Sequence, residues 1–257
     1  AGVANEGDTI YYRGGNLTGK EVTFSSSKNI TLDLGGKSLK HDEYETVTLV
    51  NSGVGTVTLT NGTIVQPKSD GLFGSAGQME IKGDFAFADI ETKNRATSAG
   101  NFFTMTVKSG TLTVLGGQYT SQFKTDGGTV IYQGGKFWDG KYESWGSDHY
   151  QFSKPTPVMG SDTGYIVITG SDSMKDGNDD DRALVWEVVE HTHNIVYTAA
   201  ENVITAKCDA EHGDACGFGT QTVTLNADPA KTTGEAYTGA HVAVTAGFPV
   251  EVTDADI

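Results

Sequence analysis

Asn29 to Lys40 reads NITLDLGGKSLK. Ile30, Leu32 and Leu34 alternate with Thr31 and Asp33, and Gly35 and Gly36 interrupt the run. Alternation with a period of two marks a half-buried strand. A glycine pair lets the chain bend sharply, because glycine takes positive φ without strain. The stretch is therefore either one arm of a hairpin or one rung of a repeating coil, and the fold follows from which it is.

The rest of the chain favours the rung. VTLTNGTIVQ (Val57 to Gln66), MEIKGDFAFAD (Met79 to Asp89), LTVLGGQYTS (Leu112 to Ser121) and VIYQGGKFWDG (Val130 to Gly140) share one plan. Each is an alternating strand, a glycine, one spacer, then an apolar or aromatic residue: Gly62 leads to Ile64, Gly83 to Phe85, Gly117 to Tyr119 and Gly135 to Phe137. With Gly36, these pivots lie 18 to 34 residues apart, the uneven period of a β-solenoid whose insertions loop outward. VTLTNGTIV alone reads equally well as two strands around an Asn-Gly type I′ turn. The hairpin reading weakens when the copies are taken together, because long gaps separate one copy from the next.

NITLDLGGKSL is similar to the VTLDLNGKTL element that opens right-handed parallel β-helix regions in many surface proteins of gut Gram-positive bacteria. In those proteins a GGxF segment commonly ends the helix, and QGGKFWDGKYESWGSDHYQF stands in that place here, followed by GYIVIT. The resemblance runs from about Gly7 to Val189. Beyond it, HTHNIVYTAAENVITAKCDAEHGDAC and the alternating TQTVTLNA and AHVAVTA resemble the small Ig-like modules that follow such helices, including YTG at Tyr237 to Gly239. The resemblance implies an all-β chain: a right-handed parallel β-helix, the solenoid of pectate lyases, over residues 1–188, then a small C-terminal Ig-like β-sandwich over 189–257. It implies a non-catalytic segment of an exported, extracellular surface protein, acting in adhesion or glycan binding and continuing toward an anchor. Host or dietary glycans or surface glycoproteins are the implied partners. Residues 1–28 are expected to cap the first coil, with YYRGGN and EVTFSS as strands.

The totals fit that class. The 257 residues include 18 basic and 33 acidic side chains, a formal charge of −15, and only three arginines, Arg13, Arg95 and Arg182. Such a surface repels phosphate backbones and anionic membranes, which excludes nucleic acid as the expected partner. Glycine is abundant at 34 residues and proline scarce at five, which favours turns and strands over helices. No apolar run has membrane-spanning length, and AGVANEGDTI reads as the start of a mature or trimmed chain. A monomer without cofactor is expected, calcium being the one ion such an acidic chain would admit. DSMKDGNDDDR (Asp172 to Arg182) lacks the order of an EF-hand loop and reads as a solvated linker.

Aromatic residues crowd between Tyr119 and Phe152. Phe137 and Tyr132 fit the core or a coil corner. Alternation turns Trp138 outward, and Trp145 lies in a Gly/Ser-rich loop. These two, with Tyr142, Asp139 and Glu143, are the ligand-binding candidates: flat rings pack against sugar faces and carboxylates accept sugar hydroxyls. Core packing is the competing role for the rings. A polysaccharide-degrading enzyme, the alternative, needs paired carboxylates or a basic residue over the substrate. Asp126, Asp139, Glu143 and Asp148 are the carboxylates at hand, and Lys93 and Arg95 the only basic cluster on an expected loop. A stalk without ligand is the third reading. Finally, His191, His193, Cys208, His212 and Cys216 have the atoms of a zinc site. The C-x7-C spacing is wider than a zinc knuckle, and a Cys208–Cys216 disulfide closing a hairpin loop is the simpler expectation in an exported protein. Zinc and free thiols stay open.

Overall fold

The computed structural model describes residues 4–43, 45–67, 78–93, 103–141, 149–150, 153–160, 162–175, 181–200 and 203–224. Among them the chain is all-β, with 22 strands and one short 3-10 turn. It divides into two compact units, Ala1–Val158 with Tyr165–Glu190, and Met159–Gly164 with His191–Ile257.

The first unit carries two parallel sheets. One holds β1 (Thr9–Tyr11), β2 (Leu17–Thr18), β4 (Ile30–Lys40), β6 (Val57–Val65), β8 (Phe85–Lys93), β10 (Thr111–Val114), β11 (Gln118–Tyr119), β13 (Thr129–Tyr132) and β14 (Lys136–Trp138). The other holds β3 (Glu21–Phe24), β5 (Val47–Asn51), β7 (Met79–Lys82), β9 (Thr104–Ser109) and β12 (Gln122–Thr125). From β3 on, the chain crosses from one sheet to the other and back, advancing one place each time.

The parallel register keeps equivalent positions in line. Ile30, Val57, Phe85, Leu112 and Val130 stand side by side, as do Leu32, Leu59, Phe87, Val114 and Tyr132. On the second sheet Val47, Met79, Met105 and Phe123 form a matching row. These rows face one continuous buried core, so each pass of the chain buries its apolar edge only by lying against the next.

The opening stretch is a single bent strand, β4. Its first half pairs with β1 and its second with β2, and Gly35 and Gly36, at φ 58° and 74°, turn it between them. VTLTNGTIV is likewise one strand: β6 pairs in parallel with β4 on one side and β8 on the other, which excludes the hairpin. Gly83, Gly117 and Gly135 also take positive φ. Gly62 does not; there Asn61 bends at φ 51°, and a Cβ on Gly62 would run into the Leu34 side chain. EVTFSS supplies β3 as the first row of the second sheet, and YYRGGN contributes only the end of β1.

The parallel stack ends where β14 pairs antiparallel with β19 (Asp181–Thr192), beyond which lies β17 (Thr163–Thr169). Two pairs and a meander complete the strand inventory: β15 (Gly140–Lys141) with β16 (His149–Tyr150), β18 (Ser173–Lys175) with β19, and the meander of β20 (Ile195–Ala200), β21 (Val203–Cys208) and β22 (Thr220–Thr224). This three-stranded antiparallel sheet belongs to the second unit. Residues 225–257, where the rest of the Ig-like module was expected, lie outside the described residues.

Candidate functional site

Among the described residues, two places gather polar chemistry, one in each unit. In the first unit a groove of about 590 Å³ lies along the bends of the last rows, lined among others by Asp89, Gln118, Lys136, Trp138, Asp172 and Glu187. Register builds it. Gln118 stands between Glu91 of β8 and Lys136 of β14, and Lys136 faces Glu187 of β19. Glu91, Gln118, Lys136 and Glu187 thus form a polar row across four strands, one residue per strand spacing of about 4.8 Å. Lys136 Nζ lies 3.2 Å from Asp172 and 3.9 Å from Glu187.

Trp138 corrects the expectation of an outward ring: it is 4% exposed, as is Phe137 beside it. A register shift in the β14–β19 pairing falls between these two residues, Phe137 facing Trp186 and Trp138 facing Leu184. Such a bulge breaks alternation, so two neighbours turn inward together. The buried Trp138 Nε1 has no hydrogen-bond partner. Asp139 also departs from its expected role. It is buried and accepts a 2.9 Å bond from the Ala183 amide while its own amide donates to the Ala183 carbonyl, clamping β14 to β19. Tyr142, Glu143, Trp145, Asp148 and Arg95 lie outside the described residues.

Of the described aromatic residues of that region, Tyr119, Phe123 and Phe137 also lie in the core, and Tyr132 packs against them. Tyr119 stacks on Phe137 at 5.4 Å, and Phe123 and Tyr132 meet the pair edge-on. Burial, with the charge of Asp89 behind it, pushes the Tyr119 phenol above its ordinary value, and its hydroxyl donates to the Gly116 carbonyl at 2.6 Å. Burial likewise pushes Tyr132 up to about 12. Asp126 is bound at 2.6 Å by Lys108, whose hydrogen bond holds the carboxyl below its ordinary value. A carboxyl so held is a poor proton donor. Lys93 is paired with Glu91 at 3.6 Å.

In the second unit, the end of β19, the end of β21 and the turn after it bring His191, His193, Cys208 and Cys216 together. One ligand atom from each lies within 4.8 Å of the other three. Antiparallel pairing places Cys208 opposite Ile195, two residues past His193. The turn returns Cys216 to the same place through the short helix Gly213–Ala215, entered at His212 with φ 61°. Both cysteines are buried and stand unbridged, where a disulfide was the simpler expectation. Each thiol has another neighbour: Cys208 Sγ lies 3.5 Å from His191 Nε2, and Cys216 Sγ donates to the Gly213 carbonyl at 2.9 Å. Burial raises the Cys216 thiol above its ordinary value. His212 stays out of the cluster, beside Glu211 at 3.5 Å.

No protein-family model, no curated protein and no solved structure matches the chain.

Proposed function

We propose that the chain is a non-catalytic segment of an exported bacterial surface protein, a right-handed parallel β-helix followed by a small Ig-like module, that binds neutral glycans. The observation that carries this is the groove at Lys136. It offers carboxylate and amide acceptors beside an ammonium, in a row that repeats at the spacing of the strands and on the scale of one sugar ring. The buried Trp138 Nε1 without a partner is a donor that a sugar hydroxyl would satisfy. The formal charge of −15 argues for neutral over acidic glycans. Against catalysis stand Asp126, tied to Lys108, and Asp139, spent on the Ala183 backbone.

The stalk reading draws support from one observation: Trp138 is buried and offers no exposed platform. A glycan-array screen decides between the two. It uses the intact chain and a Gln118→Ala/Lys136→Ala double variant, with a chelator arm for each. Retention by the wild type and loss in the variant supports the groove. A folded wild type that retains nothing moves the assignment to the stalk. Binding that survives in the variant places recognition elsewhere.

A further inference from the structure

We propose that His191, His193, Cys208 and Cys216 form a closed, tetrahedral zinc site that holds the strands of the second unit together. Two thiolates and two imidazoles are a complete structural zinc set, and they cancel the charge of a divalent ion in a buried place. Tetrahedral bonds of zinc to sulfur and nitrogen put ligand atoms roughly 3.3–3.8 Å apart. The four atoms already lie within 4.8 Å of one another, so small side-chain adjustments complete the geometry. Four protein ligands leave no open position for water or substrate, which makes the site structural and not catalytic.

Two independent features point the same way. His193 Nδ1 is buried without a hydrogen-bond partner; a buried polar atom left so costs about 1–3 kcal/mol, and an imidazole held in a metal site has its ring nitrogens fixed by coordination and hydrogen bonding. Its ring is held on two sides, 5.2 Å from His191 and 5.5 Å from Phe218, and its amide donates to the Asp162 carbonyl. The turn is also shaped around the thiols. Gly213 packs so closely on Cys208 that a Cβ there would overlap the Cys208 carbonyl oxygen and lie 3.4 Å from its sulfur. Gly217 and Gly219, at φ 78° and 68°, then turn the chain away into β22.

The described sheet of the second unit buries few apolar side chains of its own. Five of the six residues of β20 are exposed, and Ile204 and Ala206 are the only buried aliphatic side chains among its described residues. A sheet with so thin a core is held by a staple or by a covering layer. One ion joining β19, β21 and the turn supplies that staple, and its binding free energy becomes folding free energy.

The test uses the intact chain, purified with reductant from zinc-supplemented medium. Zinc is measured by mass spectrometry. The metal-stripped protein is titrated with cobalt(II), then zinc, beside Cys216→Ser and His193→Gln variants. Tryptophan fluorescence serves as the folding control, since Trp138, Trp145 and Trp186 all belong to the first unit. The expected results are about one zinc per chain, the intense visible bands of tetrahedral thiolate-bound cobalt, and their loss on adding zinc. Each variant should lose affinity by at least about 100-fold, since even changes behind the ligands cost 10–100-fold. A chain with a folded first unit and reduced thiols that binds neither metal overturns the proposal. So does a six-coordinate cobalt spectrum, or a Cys216→Ser variant with undiminished affinity.

Discussion

Gly83→Ala is the substitution that tests how the bends of the first unit are made. Gly83 has φ 94°, and a Cβ there would overlap the Asn51 carbonyl oxygen and lie 3.0 Å from its carbon. Gly110, at φ 70°, stands in the same column: its Cβ would come within 2.5 Å of the Gly83 carbonyl carbon. Backbone thus packs on backbone from row to row, with no room for a methyl group. Alanine at positive φ costs about 1–2 kcal/mol in local strain. Forcing a stacked backbone apart adds the 1–3 kcal/mol typical of an overpacked core. The expected loss is about 2–5 kcal/mol. Gly36→Ala is the control, because Gly36 has φ 74° and nothing within 4 Å of its missing Cβ. It should lose only the strain, about 1–2 kcal/mol. Urea denaturation followed by tryptophan fluorescence reads the first unit alone, since all three tryptophans lie there. Equal losses for the two variants would refute close-packed bends and leave glycine at Gly83 explained by φ alone.

Three further outcomes follow from the same contacts. Asn51 is 5% exposed, donates through Nδ2 to the Gly55 and Asp84 carbonyls at 2.6 and 2.9 Å, and accepts from the Gly53 amide. Asn51→Ala should therefore cost about 2–4 kcal/mol in the same urea assay. Tyr132 is raised from an ordinary 10.0 to about 12 in the fold, so the folded state keeps a proton that the unfolded state gives up. Its contribution is complete below pH 10 and is lost as pH rises from 10 through 12. Tyr132→Phe should flatten the alkaline loss of stability over that window, as read from urea midpoints at stepped pH. Lys108→Met breaks an exposed, solvent-screened pair with Asp126 and should leave the urea midpoint nearly unchanged.

Much of the first unit is legible in the sequence because its logic is local. Alternation fixes which side chains face inward, and a glycine after each run marks the bend, as at Gly36, Gly83, Gly117 and Gly135. Gly62 shows where that reading is right about position and wrong about cause: the positive φ falls on Asn61, and glycine is required because Leu34 fills the space its side chain would take. Trp138 shows where the reading fails. Alternation presumes an unbroken ladder, and the bulge beside Phe137 is imposed by β19, some 45 residues away in the chain. Nothing within KFWDG announces it. The same partner explains Asp139, whose carboxylate serves the Ala183 amide.

The cluster in the second unit was legible in its parts and not in its pairing. The sequence offers five candidates and a C-x7-C interval, and the interval alone suggests that the cysteines close on each other. In a knuckle, ligand spacing is set by one tight turn, so short intervals are diagnostic. Here the spacing is set by a hairpin. The interval from His193 to Cys208 is the length of β20 and β21, with Ile195 opposite Cys208, and the interval from Cys208 to Cys216 is the turn that follows. A hairpin of any even extension would bring the same four side chains together, so no fixed interval could identify them. What identifies them is that His191, His193, Cys208 and Cys216 all end elements that meet at one end of the sheet, whereas His212, one residue before the short helix, takes φ 61° and stands apart.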